Sequence, residues 1–277
     1  MPKSKEFSVS GSGPTVHLES LDEGTIAVLT LDDSKGTNVM SPEMGDVFSR
    51  HIAFTQKDAA VRAVIIRGTG KDFSIGGHRD MLIGLGRPGR SEKELRDFML
   101  AFYNRWLPVL DLPVPVIAVL QGDCIGVAPV FACAADIAFA DETLKLQVTF
   151  AGLGLYPGMA LPTLLTRKVG PYRASLLTMA NEIITGREAE RIGLVERCVP
   201  AGAAYEEALK TARAISASAP SVVRLLKRNL GIKKTDLTCE LEMNAEQQAR
   251  DFQTDEYRNR VANYLPITTP ESTSLEQ

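Results

Sequence analysis

Residues 114–122, VPVIAVLQG, are almost continuously apolar up to a closing Gln-Gly pair. A strand with one wet face alternates apolar and polar residues. A run without that alternation suits a strand covered on both faces, as in a parallel sheet flanked by helices. A second such run, AVIIRG at 63–68, and the strand-like TIAVLTL at 25–31 precede it. Helical patterns fill the gaps between these runs. Ser41-Pro42-Glu43 reads as an N-cap with Pro at the first helical position, followed by Met44, Val47, Phe48 and Ile52 at helical spacing. Ser91 and Glu94 form a capping-box pattern ahead of Leu95, Phe98, Met99, Phe102, Tyr103 and Trp106, a stripe read as core packing. Strand followed by helix, repeatedly, predicts an α/β fold.

From about residue 201 the strand signals stop. AYEEALKTARAISASAP, SVVRLLKRNL and a long segment from about 235 to 264 all read as helices. The expected organisation is a β/α core over 14–200, a helical region over 201–265, and mobile polar tails at 1–13 and 266–277. The chain has 277 residues with 44% hydrophobic and 23% charged content, an ordinary globular composition, and no fixed-period repeat stands out. A formal net charge of −3 offers no cationic field for a nucleic-acid backbone, so nucleic acid is not an expected partner. The four cysteines, Cys124, Cys133, Cys198 and Cys239, show no C-x-x-C pair and read as reduced thiols, not metal ligands. The N-terminal residues lack a signal-peptide apolar run and no stretch reaches membrane-span length, so a cytoplasmic protein without a membrane partner is expected.

Two glycine-containing stretches hold the candidate chemistry. KDFSIGGHRDM at 71–81 follows the AVIIRG strand, and its glycine pair permits close backbone approach. In QGDCIGVAPVFACAADIAFA at 121–140, the buried strand ends at Gln121-Gly122 and a helix is expected to start near Gly126, presenting free N–H groups. Two such turns facing each other would make an oxyanion hole for a thioester carbonyl. A purely structural role for each glycine turn is the alternative.

The chain resembles the crotonase (enoyl-CoA hydratase/isomerase) superfamily in these stretches and in GLGLYPGMALPTLLTRKVG, ITGREAERIGLVERCVP and SAPSVVRLLKRNL, in the same order from about residue 14 to 265. The family's Phe-x-Ala-Gly-x-Asp motif corresponds to Phe73 to His78, and its Asn-Gly-x-x-x-Gly-Gly-Gly run to Gln121 to Ala128. The resemblance implies a spiral of ββα units with a C-terminal α-helical trimerisation region, a homotrimer or hexamer, and an acyl thioester substrate. Coenzyme A or phosphopantetheine would belong to that substrate, with no separate cofactor and no metal. It also implies that the backbone N–H groups of Ile75 and Val127, beside Gly76 and Gly126, are the oxyanion donors. Val127 and Ala128 replace bare glycine in that turn. SKGTNVM at 34–40 matches the family's CoA-contacting segment, making Lys35 a candidate for the CoA phosphates or a solvated turn lysine. The family's C-terminal Lys-Arg pair is replaced by VANYLP at 261–266, so an acyl carrier protein is an alternative donor of the thioester.

The departures concern acid and base groups. Hydratases of the family use two glutamates, one to deliver a proton and one to activate water. Those positions hold Val130 and Phe150 here, and Met159 and Ala160 follow the Pro157-Gly158 turn. Remaining polar candidates are His78 as general acid or base, its neighbours Arg79 and Asp80, Asp123 in the second loop, Cys124, and Tyr156 beside the Pro-Gly turn. Each has a structural alternative: a hydrogen-bonded histidine, a helix cap, an inert thiol, a pocket wall. An apolar pocket of Val130, Phe150, Leu155 and Met159 would exclude water. The function so implied is a noncanonical isomerase or lyase acting by double-bond shift, decarboxylation or dehydration. A non-catalytic binding or scaffold protein and a C–C bond hydrolase of a diketone are the alternatives.

Overall fold

A computed structural model describes residues 14–263; the segments expected to be tails, and Tyr264 to Pro266 of the C-terminal stretch, lie outside these described residues. In chain order the strands are β1 (Thr15–Leu21), β2 (Ile26–Asp32), β3 (Ala63–Gly68), β4 (Val116–Leu120), β5 (Asp123–Ile125), β6 (Ile137–Asp141), β7 (Lys145–Gln147), β8 (Ile183–Thr185) and β9 (Arg197–Val199). The helices are α1 (Pro42–Lys57), α2 (Arg79–Leu85), α3 (Glu92–Trp106), α4 (Val130–Ala134), α5 (Leu161–Met179), α6 (Gly186–Arg191), α7 (Ala204–Ser216), α8 (Pro220–Leu230), α9 (Thr238–Asp251) and α10 (Asp255–Ala262).

Six strands form one sheet in the order β1-β2-β3-β4-β6-β9, antiparallel only at β1–β2, and β5-β7-β8 form a second, smaller sheet. The central strands are buried on both sides, as their apolar runs require. Val64, Ile66, Ala118 and Leu120 point into the larger core, while Ala63, Ile65, Ile117 and Val119 face α7 through Ala204, Ala208, Leu209 and Ala212. In the larger core Phe48, Trp106, Phe131 and Phe73 pack in a chain of tilted and edge-on ring pairs with centroids 5.2 to 6.0 Å apart. The capping box of α3 is present, with the Ser91 side chain accepting from the Glu94 amide and Glu94 accepting from the Ser91 amide.

Two expectations are corrected. No helix starts at Gly126: the chain forms β5, turns through 126–129, and enters only the five-residue α4 at Val130. Strand pairing decides this, because the Gly126 amide is taken by the Gln147 carbonyl at 2.9 Å, extending the β5–β7 ladder. The segment expected as one helix from 235 is two, α9 and α10. They are separated where Phe252 inserts into the core and Thr254 caps the second, accepting from the Tyr257 amide. The C-terminal helices also pack on the core, with α9 lying along α3 and α10 against α2.

Replacing Trp106, fully buried at the centre of the ring chain, by alanine should lower unfolding free energy by about 3 to 5 kcal/mol in a denaturant titration.

Candidate functional site

The loop after β3 and the segment after β4 are drawn together by a short parallel ladder. The Ser74 amide donates to the Asp123 carbonyl at 3.1 Å and the Ile125 amide to the Ser74 carbonyl at 3.0 Å. Gly76, at φ +84°, completes the contact: a Cβ there would lie 2.5 Å from the Ile125 carbonyl oxygen and 3.3 Å from the Val127 nitrogen. Only glycine permits both this φ and this approach. Gly76 thus places one loop against the amide of Val127.

A third segment locks onto the first. The largely buried Asp33 carboxylate accepts from the amides of Lys35, Thr37 and Val39, each at 3.0 Å, and from the Thr37 hydroxyl at 2.5 Å. Residues 33–39 are therefore folded around one side chain. Asn38, fully buried, donates across to the carbonyls of Thr69 and Asp72. The Thr37 carbonyl so positioned accepts the Ile75 amide at 3.0 Å, and the Met40 amide donates to the Gly76 carbonyl at 2.8 Å. Of the two N–H groups expected to form an oxyanion hole, Ile75 is engaged by Thr37. Val127 donates to no acceptor among the described residues.

Beside these loops lies a partly open cavity of about 60 Å³. Ile75, Gly77, Gly126 and Val127 form its loop side, while Met81, Leu82 and Leu85 of α2, Met99 and Phe102 of α3, and Phe150, Leu153, Leu155 and Met159 close it with apolar surface. Three polar side chains reach the wall: Thr149, Tyr103 and Gln248. Tyr103 donates to Gln248 Oε1 at 2.5 Å, and Gln248 Nε2 donates to the Tyr156 carbonyl at 2.7 Å. One turn before Gln248, Asn244 Oδ1 accepts the Ala160 amide at 2.9 Å. This bond supports a strained corner in which Met159 and Ala160 both have positive φ, 59° and 52°. Burial pushes the Tyr103 hydroxyl far above its usual pKa, so it stays protonated.

The other sequence candidates are dispersed. His78 is exposed and caps α2, its Nδ1 accepting the Asp80 amide at 3.2 Å. Arg79 reaches the Ala262 carbonyl. Asp123 does not line the apolar cavity; it lines a separate polar cleft of about 530 Å³ with Arg67, Lys71, Asp72 and Lys145. Its carboxyl pKa is raised there by burial and by the neighbouring Asp72 charge. Cys124 is fully buried, which pushes its thiol well up. Val130, expected in the pocket, packs in the core and is not among the residues that line the cavity. Tyr156 contributes backbone, its amide donating to Asp251 Oδ2 at 2.7 Å. Lys35 is exposed, anchored through its amide. Gly76 stands just behind the lining formed by its neighbours. Tyr103, Thr149 and Gln248 were not singled out by sequence. The hydroxyl of Tyr103 within an otherwise apolar stripe was the one available signal.

Asp33 gives the site a pH dependence. Burial alone would raise its pKa, but the hydrogen bonds from Thr37, Val39 and Lys35 outweigh this and hold it below the ordinary carboxylate value. A depressed folded pKa stabilises the protein above the unfolded value, and that stabilisation is lost as pH falls through the folded one. Asp33→Ala should therefore cost about 2 kcal/mol at neutral pH and progressively less below the carboxylate range, read as the shrinking difference between two denaturation curves.

The family model for enoyl-CoA hydratase/isomerase matches residues 22–271. A relative from Thermus thermophilus that carries an enoyl-CoA hydratase name is 30% identical over 211 residues, covering 76% of this chain and 82% of its own. The solved enoyl-CoA hydratase of Bacillus halodurans superposes with a TM-score of 0.81 at 22% identity, covering 89% of this chain and 98% of that one. An enoyl-CoA hydratase/isomerase from Mycobacterium paratuberculosis gives 0.80 at 20% identity, covering 93% and 100%. At these identities the two structures show the shared fold. Fold, motif order and family match agree, and the chain belongs to the enoyl-CoA hydratase/isomerase family, within the crotonase superfamily.

Proposed function

We propose that the protein acts on an acyl thioester, of coenzyme A or of a carrier-bound phosphopantetheine arm, with the acyl group in the apolar cavity and the thioester carbonyl at the Val127 amide. The observation that carries this reading is the composition of the cavity wall. No carboxylate and no imidazole lines it, and its one titratable side chain, Tyr103, is held neutral. Hydration by paired carboxylates has no residues to perform it there. Chemistry that needs only a stabilised enolate fits better: a double-bond shift or a decarboxylation. Decarboxylation demands least of the wall. The bond between the α-carbon and the carboxylate breaks, CO₂ leaves, the electron pair enters the thioester enolate at the Val127 N–H, and a solvent proton ends on the α-carbon. An apolar wall also favours loss of a charged carboxylate, because it removes the water that stabilises that charge.

The hydrogen bond from Ile75 to Thr37 supports a second reading, a binding protein that retains the thioester site without turnover. One of the two expected donors is then committed to the fold. Incubation with crotonyl, 3-hydroxyacyl, glutaconyl and malonyl thioesters, with products followed by mass spectrometry, separates the readings. The expected outcome is loss of CO₂ or an isomeric product, with no gain of water. Hydrated product would overturn the proposal, and thermal stabilisation without turnover would favour the binding protein.

Self-association through α8 follows from the same family reading. None of its eleven residues is buried, and Val222, Leu225, Leu226 and Leu230 are all exposed on it. Light scattering should give a mass of three or six chains, and Leu226→Lys should shift it toward the 30.1 kDa monomer.

A further inference from the structure

The direction of the hydrogen bonds at Tyr103 is fixed by the backbone. A carbonyl only accepts, so Gln248 must turn its amide nitrogen to Tyr156 and its oxygen to the phenol. The Tyr103 proton is consequently spent on Gln248 Oε1. Both side chains are essentially without solvent contact, 1% and 0% exposed, and both line the apolar cavity. Any polar contact a ligand in the cavity makes with Tyr103 Oη is therefore with its lone pairs. Thr149 does not select in this way, because its hydroxyl turns to donate or accept.

We propose that Tyr103, held by Gln248, is a specificity-determining residue: it accepts a hydrogen bond from a hydroxyl on the acyl chain and selects hydroxyacyl thioesters over plain or oxo analogues of equal length. The inference rests on the reading of the cavity as the acyl site. A plain alkyl chain leaves Oη without a donor, and an oxo group sets acceptor against acceptor. A site built to bond a substrate hydroxyl discriminates against analogues that lack it for this reason.

The test is equilibrium binding of 3-hydroxybutyryl, 3-oxobutyryl and butyryl groups, each as its CoA and its pantetheine thioester. The wild-type protein, Tyr103→Phe and Gln248→Met are compared by calorimetry. The wild type should favour the hydroxyacyl ligand over butyryl about fivefold, the factor a single net hydrogen bond supplies. In Tyr103→Phe that ratio should fall to about one. In Gln248→Met the freed phenol proton should raise the affinity for the oxo ligand relative to the hydroxy one. This second variant decides the matter if the first fails to fold. A wild-type ratio near one, a ratio that survives Tyr103→Phe, or an unmoved oxo-to-hydroxy ratio in Gln248→Met overturns the proposal while leaving the thioester site standing. Failure of the wild type to bind any of the thioesters overturns both.

Discussion

The site depends on the approach of Gly76 to the Ile125–Val127 backbone. A side chain of any size at Gly76 would collide with the Ile125 carbonyl, and the positive φ there is one that L residues rarely adopt. The short ladder between Ser74 and Cys124 sets the register of that approach, and it exists because Gly122 also turns at positive φ where a Cβ would meet the Lys71 carbonyl. The two loops therefore act as one rigid platform. Among the described residues the amides of Gly77 and Val127, both at the lining of the apolar cavity, have no acceptor.

Asp33 extends the platform. A carboxylate that gathers three amides and a hydroxyl leaves its loop little freedom, and the loop delivers the Thr37 carbonyl to Ile75. The same loop also consumes one expected donor, the Ile75 amide. Two of the polar side chains in the cavity wall, Tyr103 and Gln248, come from α3 and α9. Tyr103 and Gln248 are satisfied by each other and by a backbone carbonyl, which is how two polar side chains persist with almost no solvent contact.

Much of the frame was legible in the residues. AVIIRG and VPVIAVLQG became the doubly covered strands β3 and β4, and Ser41-Pro42 and Ser91…Glu94 became helix starts, because capping and burial on both faces leave local sequence signatures. The three-residue strands β5, β7, β8 and β9 left none, being too short to show a period, and the helix expected at Gly126 lost to pairing with Gln147. His78 looks like chemistry in sequence, but its ring caps α2. Asp123 follows the turn at Gly122 yet faces another cleft, since alternate residues of a strand point to opposite sides.

By itself the sequence determined the layered α/β core, the family, and the apolar identity of Val130 and Phe150, where the resemblance implies glutamates, because these follow from local pattern and residue identity. Tertiary structure alone decided that the Ile75 amide is taken by Thr37, and that Tyr103 and Gln248, 145 positions apart, meet at the cavity wall. The physical reason is one of range. Propensity, capping and burial periodicity act over a few residues, whereas the partner of a buried donor is set by whichever acceptor the packing of distant segments brings within hydrogen-bond reach.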